Sequence, residues 1–190
     1  MSFFEYIMVI GAILLGLGFA QLMIGASAIV RSRRWDLVHG TWVLALVVTH
    51  LQLWWAFWDL EALPTEAWNA GKFVYFVMGP AILFFCTNVL SPHPVPDDID
   101  WRAHFERSRR PFLILVALLL AWTGGLAMVM SGQPFVHPAR INQSLALGTA
   151  LVGLSARSRR VHVVVAIVFL AILVANWFLV RWTPGAMTAG

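Results

Sequence analysis

Apolar residues run along this chain in long blocks, separated by short turns that carry most of its arginines. A helix needs about 20 apolar residues, at roughly 1.5 Å rise each, to cross a hydrocarbon core of about 30 Å. Six blocks reach or approach that length, near residues 4–29, 37–59, 69–90, 110–130, 138–156 and 161–181. The pattern predicts an all-α polytopic membrane protein, a six-transmembrane-helix bundle forming a single domain over residues 1–190.

Within the blocks, the placement of small and polar residues separates packing faces from lipid-facing ones. In the first block Gly11, Gly18 and Gly25 recur every seven residues, a spacing that drifts only about 20° per step round a helix. They form one stripe, with Gln21 beside it, along which a neighbouring helix can approach closely and share a hydrogen bond. In the second block Asp36 is placed to cap the helix, and His39 and His50, eleven residues apart, share nearly one face. Thr41, Gln52 and Asp59 lie on another. A helix with two polar stripes belongs inside a bundle rather than against lipid.

The third block contains Gly79-Pro80, which should kink it, with Lys72 at its outer boundary and Thr87 and Asn88 at its inner end. Pro92, Pro94 and Pro96 then make the connection extended. Asp97 and Asp98 are expected to cap a short amphipathic helix within residues 97–110, with Trp101 and Phe105 on neighbouring turns, lying on the membrane surface. The fourth block is almost uniformly apolar and reads as the most lipid-exposed. The fifth is shorter, and Asn142, Gln143, Ser144 and Gly148 favour its burial. The sixth carries His162 near its start and Asn176 toward its far end.

Composition agrees with the pattern: 60% of residues are hydrophobic, only 12% are charged, and mean hydropathy is +0.78. That excludes an ordinary soluble domain. The sequence pI near 10.2 does not point to nucleic acid, because the basic residues sit in clusters beside apolar blocks rather than along one face. Ten of the thirteen lysines and arginines lie in alternate connections: Arg31, Arg33 and Arg34; Arg102, Arg107, Arg109 and Arg110; Arg157, Arg159 and Arg160. Lys72, Arg140 and Arg181 remain for the other side. This asymmetry predicts both termini on the non-cytoplasmic side, with a bacterial inner membrane as the expected location. The first block lacks a basic stretch before it and is expected to be retained as a helix.

Arg-Ser-Arg-Arg occurs three times, at residues 31–34, 107–110 and 157–160. His50 and Asn176 each lie sixteen residues beyond the last arginine of such a string, the mark that a duplicated hairpin would leave. Tryptophan is abundant: Trp54, Trp55, Trp58 and Trp68 form an interfacial belt, whereas Trp42, Trp122 and Trp177 lie deeper, packing in the core or lining a pocket for a pigment or lipid tail. The single cysteine, Cys86, excludes an intrachain disulfide and reads as a small buried residue.

Three function classes follow. The leading one is a non-catalytic membrane subunit packing against a larger complex or against its own copies, with bound lipid or pigment. The second is a small homo-oligomeric transporter or channel with an intramembrane polar site of His50, Gln52, Asn88, Asn142 and Asn176. The third is a b-type haem electron-transfer protein, with His39 and His162 as ligands and His50 and His137 as a poorer second pair. No residue pattern of a hydrolase, metalloprotease or phosphate-binding loop is present, so enzymatic activity has no sequence support.

Overall fold

A computed structural model describes residues 3–96, 98–132 and 140–179. These residues form six helices: α1 (Phe3–Arg31), α2 (Leu37–Phe57), α3 (Ala70–Leu90), α4 (Trp101–Ser131), α5 (Ile141–Ser155) and α6 (Arg159–Leu179). Two 3₁₀ turns, Trp58–Ala62 and Thr65–Ala67, join α2 to α3. All but α5 are long and apolar enough to cross a membrane. The chain is an all-α membrane bundle. The described part of α5 has 15 residues, about 22 Å at helical rise, and residues 133–139 before it lie outside the described part. So do the last residues of the block read over 161–181.

Helix packing follows a closed path: α1 on α3, α3 on α4, α4 on α5, α5 on α6, α6 on α2 and α2 on α1. In addition α2 touches α3 and α4, which makes it the central helix. Within their most apolar windows, 44% of α2 residues are buried against 28% in both α1 and α6. The two polar stripes of α2 are the reason, since each finds a partner helix. Asp36 caps it, accepting from His39 N–H at 2.9 Å.

The three arginine-rich strings fall at one end of the bundle, here called the arginine end. The opposite end carries the exposed tryptophans Trp54, Trp55 and Trp58. On α1 the glycine stripe faces its neighbours as a contact surface. A Cβ at Gly11 would meet Phe76, one at Gly18 would lie 2.9 Å from His50 Nε2, and one at Gly25 would overlap Ser91. Gln21 lies in the same contact and donates to the Ser91 carbonyl at 2.8 Å.

Near the middle of the bundle α3 and α4 clasp one another. Tyr75 OH donates to the Trp122 carbonyl at 2.8 Å, and Trp122 Nε1 donates to the Tyr75 carbonyl at 2.7 Å. Their rings lie 5.8 Å apart and nearly parallel. Gly79 lies under the indole and Gly125 under the phenol hydroxyl, and a Cβ at either would overlap the ring or hydroxyl above it. Gly79-Pro80 thus makes the hollow that admits Trp122. Trp42 packs edge-on to Phe112 and against Phe169, with ring centroids 5.1 and 4.8 Å away, whereas Trp177, expected to lie as deep, is 44% exposed.

Two expectations for the fourth block change. Residues 101–110 are not a separate helix on the membrane but the first turns of α4, which continues through Pro111 for 31 residues. At about 46 Å it overshoots the hydrocarbon core by roughly 16 Å. The carbonyl that Pro111 deprives of a donor belongs to Arg107, an exposed residue that water can serve. The aromatic face expected to meet lipid is instead buried in protein, Trp101 at 0% and Phe105 at 2% exposure. The cap is Asp100, accepting from Ala103 N–H at 2.9 Å; Asp97 lies outside the described residues. Nor is α4 chiefly lipid-facing: Phe112, Leu113, Val116, Leu119 and Trp122 are buried where α4 meets α2, α3 and α5.

Candidate functional site

The five polar residues read from the sequence as one intramembrane site do not come together. His50 is buried, with Nδ1 2.8 Å from the Leu46 carbonyl of its own helix and Nε2 toward Gly18 of α1. Gln52 points the other way and donates to the Leu173 carbonyl of α6 at 2.7 Å. Asn142 of α5 reaches Asn176 Oδ1 of α6 at 3.4 Å. Asn88 donates to the Phe84 carbonyl one turn back. Only Asn142 and Asn176 meet. Each of the others satisfies a backbone carbonyl, the usual way for a polar group to be accommodated inside a membrane.

The two histidines read as haem ligands both lie at the arginine end, each with Nε2 already engaged. His39 Nε2 is 2.8 Å from the Leu90 carbonyl, so it carries the proton and donates. Its ring stacks on Trp101 at 4.6 Å. His162 Nε2 lies 3.0 Å from the Arg109 guanidinium. A guanidinium has only donors, so this imidazole is neutral and accepts through Nε2. A haem would have to displace both bonds, and His137 lies outside the described residues. Among the described residues no group of three or more His, Cys, Asp or Glu is set to hold a metal ion.

What the sequence reading did not assemble is a knot of buried and half-buried polar bonds that joins the helices at this end. The last carbonyls of α3 have no partners within their own helix. They are taken up by three other helices: Leu90 by His39 of α2 and by His104 of α4 at 3.1 Å, Val89 by His104 at 3.2 Å, and Ser91 by Gln21 of α1. Asp36, capping α2, forms an ion pair with Arg159 at the start of α6. Asp36, His39, Ser91 and His162 are all buried. The only sequence signal for this knot was the presence of histidines and an aspartate beside the arginine strings.

Beside the knot lies a cleft of about 390 Å³, lined by Phe105, Glu106, Arg109, Arg157, Arg159 and His162. The extension of α4 forms one wall, and the α5–α6 turn with the start of α6 forms the other. Buried Phe105 packs edge-on to His162, with ring centroids 6.1 Å apart. Two of the charges are committed elsewhere: Glu106 pairs with Arg102 at 3.2 Å, and Arg159 with Asp36. Arg109 is bonded only to the neutral His162, and Arg157 has no hydrogen bond or ion pair among the described residues. The cleft is therefore electropositive. A smaller cleft of about 160 Å³, bordered by Arg31, Ser32 and Pro96, lies between the end of α1 and the α3–α4 connection.

No protein-family profile, curated protein or solved structure matches the chain.

Proposed function

We propose that the chain is a non-catalytic integral membrane subunit, packing against helices of a larger membrane complex, with lipid on its remaining surface. One observation carries this reading: the intramembrane polar side chains bond to backbone carbonyls or, for Asn142 and Asn176, to each other, and do not converge on one site. A transport path needs polar groups lining a continuous opening, and an enzyme needs reactive groups within bonding reach of one another. Neither arrangement is supported by the placement of His50, Gln52, Asn88, Asn142 and Asn176. The proposed orientation has the arginine end in the cytoplasm and both termini across the membrane, in a bacterial inner membrane. It rests on ten of thirteen basic residues lying at the arginine end.

One feature favours the second reading, a small homo-oligomeric transporter. His50 Nε2 is buried with no hydrogen-bond partner among the described residues, and ionisable groups at membrane depth commonly mark solute or proton paths. Isolation from the native membrane in mild detergent, with an absorption spectrum and the masses of all co-purifying species, separates the readings. Stoichiometric membrane-protein partners are the expected result. A colourless homo-oligomer whose solute flux disappears in His50→Gln while its assembly persists would replace the subunit reading with transport. A Soret band lost in His39→Ala or His162→Ala would replace it with haem binding.

A further inference from the structure

We infer that the cleft between the α4 extension and the α5–α6 turn is a binding site for a phosphate-bearing anion, on a lipid headgroup or on a soluble compound. The inference is independent of the subunit reading. It starts from charge. Three guanidinium groups line the cleft, from Arg109, Arg157 and Arg159, against one carboxylate, Glu106. Glu106 is turned to Arg102 and Arg159 to Asp36, which leaves Arg109 and Arg157 as cations with no anionic partner among the described residues.

Geometry adds to charge. Arg109 is held in place by its bond to His162, a buried imidazole that packs on Phe105. That restraint reduces the rotamer freedom the guanidinium loses on binding. A guanidinium presents several N–H donors in a fixed fork, so a partly committed arginine still offers donors to an incoming oxyanion. Arg159 begins α6, where the helix adds its N-terminal partial positive charge. The cleft holds about a dozen waters at ~30 Å³ each, room for a phosphate group together with part of what bears it.

Position also fits. The apolar run of α6 begins at Val161, directly after the arginines, so the cleft lies at the level of the headgroup layer flanking the hydrocarbon core. Basic pockets between membrane helices at this depth suit anionic headgroups. Phosphate favours the site over carboxylate because its several oxygens can engage Arg109 and Arg157 from opposite walls at once.

The test uses the full chain in phosphatidylcholine nanodiscs, with two arms. One titrates inorganic phosphate and pyrophosphate and reads the unfolding temperature. The other admixes phosphatidylglycerol and counts bound lipids by native mass spectrometry. Saturable binding is expected in at least one arm, weakened about tenfold by Arg157→Ala, as loss of one charged hydrogen bond implies. Arg157 is exposed and unpaired, so this variant folds. Arg109→Gln should weaken binding similarly, and Arg33→Ala, at the same end but in the α1–α2 turn, should leave it unchanged. Binding of the inorganic anions assigns a soluble ligand, and binding of phosphatidylglycerol alone assigns a lipid headgroup. Absence of saturable binding in both arms, or equal weakening by Arg157→Ala and Arg33→Ala, overturns the site.

Discussion

The two ends of the bundle are held by different means. At the arginine end, side chains from α1, α2 and α4 satisfy the last carbonyls of α3, and an ion pair fastens α2 to α6. At the opposite end Asn69 caps α3, Lys72 Nζ donates to the Met130 carbonyl at the end of α4 at 3.1 Å, and Asn142 of α5 reaches Asn176 of α6. The tryptophans there are open to the surroundings, Trp54 at 49%, Trp55 at 42% and Trp58 at 56% exposure. At one end the last carbonyls of α3 are taken up by side chains of other helices, and at the other the tryptophans lie open. Helix ends inside protein need designed partners for their carbonyls, whereas those at an interface can use water and headgroups.

The comparison is broken most readily at Asp36. Asp36→Ala removes the cap of α2 and leaves Arg159 without its carboxylate. We expect a loss of about 3 kcal/mol in detergent unfolding, reduced from the fully buried case because Arg159 is partly exposed. Asp36→Asn keeps the capping oxygen and should lose less than half as much. If Asp36→Ala costs no more than substitutions among the exposed tryptophans, the arginine end is not specially fastened.

Next in size is the clasp between the two ends. Gly79→Ala places a methyl where the Trp122 indole lies, at an expected cost of about 2 kcal/mol. Trp122→Phe also destabilises, through the lost volume and the lost bond to the Tyr75 carbonyl. Both substitutions act on one contact, so the double variant should cost less than the two single losses added together. Strict additivity would mean that the indole has an alternative seat.

Gln21→Leu tests the knot from α1. Its amide donates to the carbonyl of Ser91, a fully buried residue that water does not reach. A loss of about 1 kcal/mol is expected, within the range measured for polar contacts between membrane helices. An unchanged unfolding midpoint would mean that the carbonyl finds another donor.

The sequence made the bundle legible because period and length report burial directly. The glycine spacing of the first block and the two polar stripes of the second identified contact faces, and Asp36 announced its helix start. The α4 extension was not legible, because Pro111 after Arg110 resembles a helix start as much as a tolerated interior proline, and Asp97, Asp98 and Asp100 all qualify as caps. The clasp depends on Tyr75 and Trp122, 47 positions apart, and no periodicity within one helix encodes such a pair. The cleft was hidden for a further reason. Its arginines belong to strings that the positive-inside bias already explains, so Arg157 and Arg33 look alike in sequence. They differ only in that one faces Arg109 and His162 across a hollow. The string at 107–110 lies within α4, whereas the other two lie at turns, so the three copies do not share one structural setting.

The smallest effect is expected at the tryptophan end. Trp58 begins the turn after α2 and is 56% exposed, so its indole meets the interface more than it meets protein. Trp58→Phe keeps an aromatic ring at that depth and removes the N–H, for which headgroups and water offer ready acceptors. The expected change is within about 0.5 kcal/mol, the usual range for a surface position. Measuring it in nanodiscs as well as in detergent sharpens the contrast, since an interfacial indole responds to the lipid headgroup and a bond to a buried residue's carbonyl, such as that of Gln21, does not. A loss above about 1 kcal/mol in both media would mean that Trp58 is held by protein, and the two ends would then differ in residue type but not in how they are fastened.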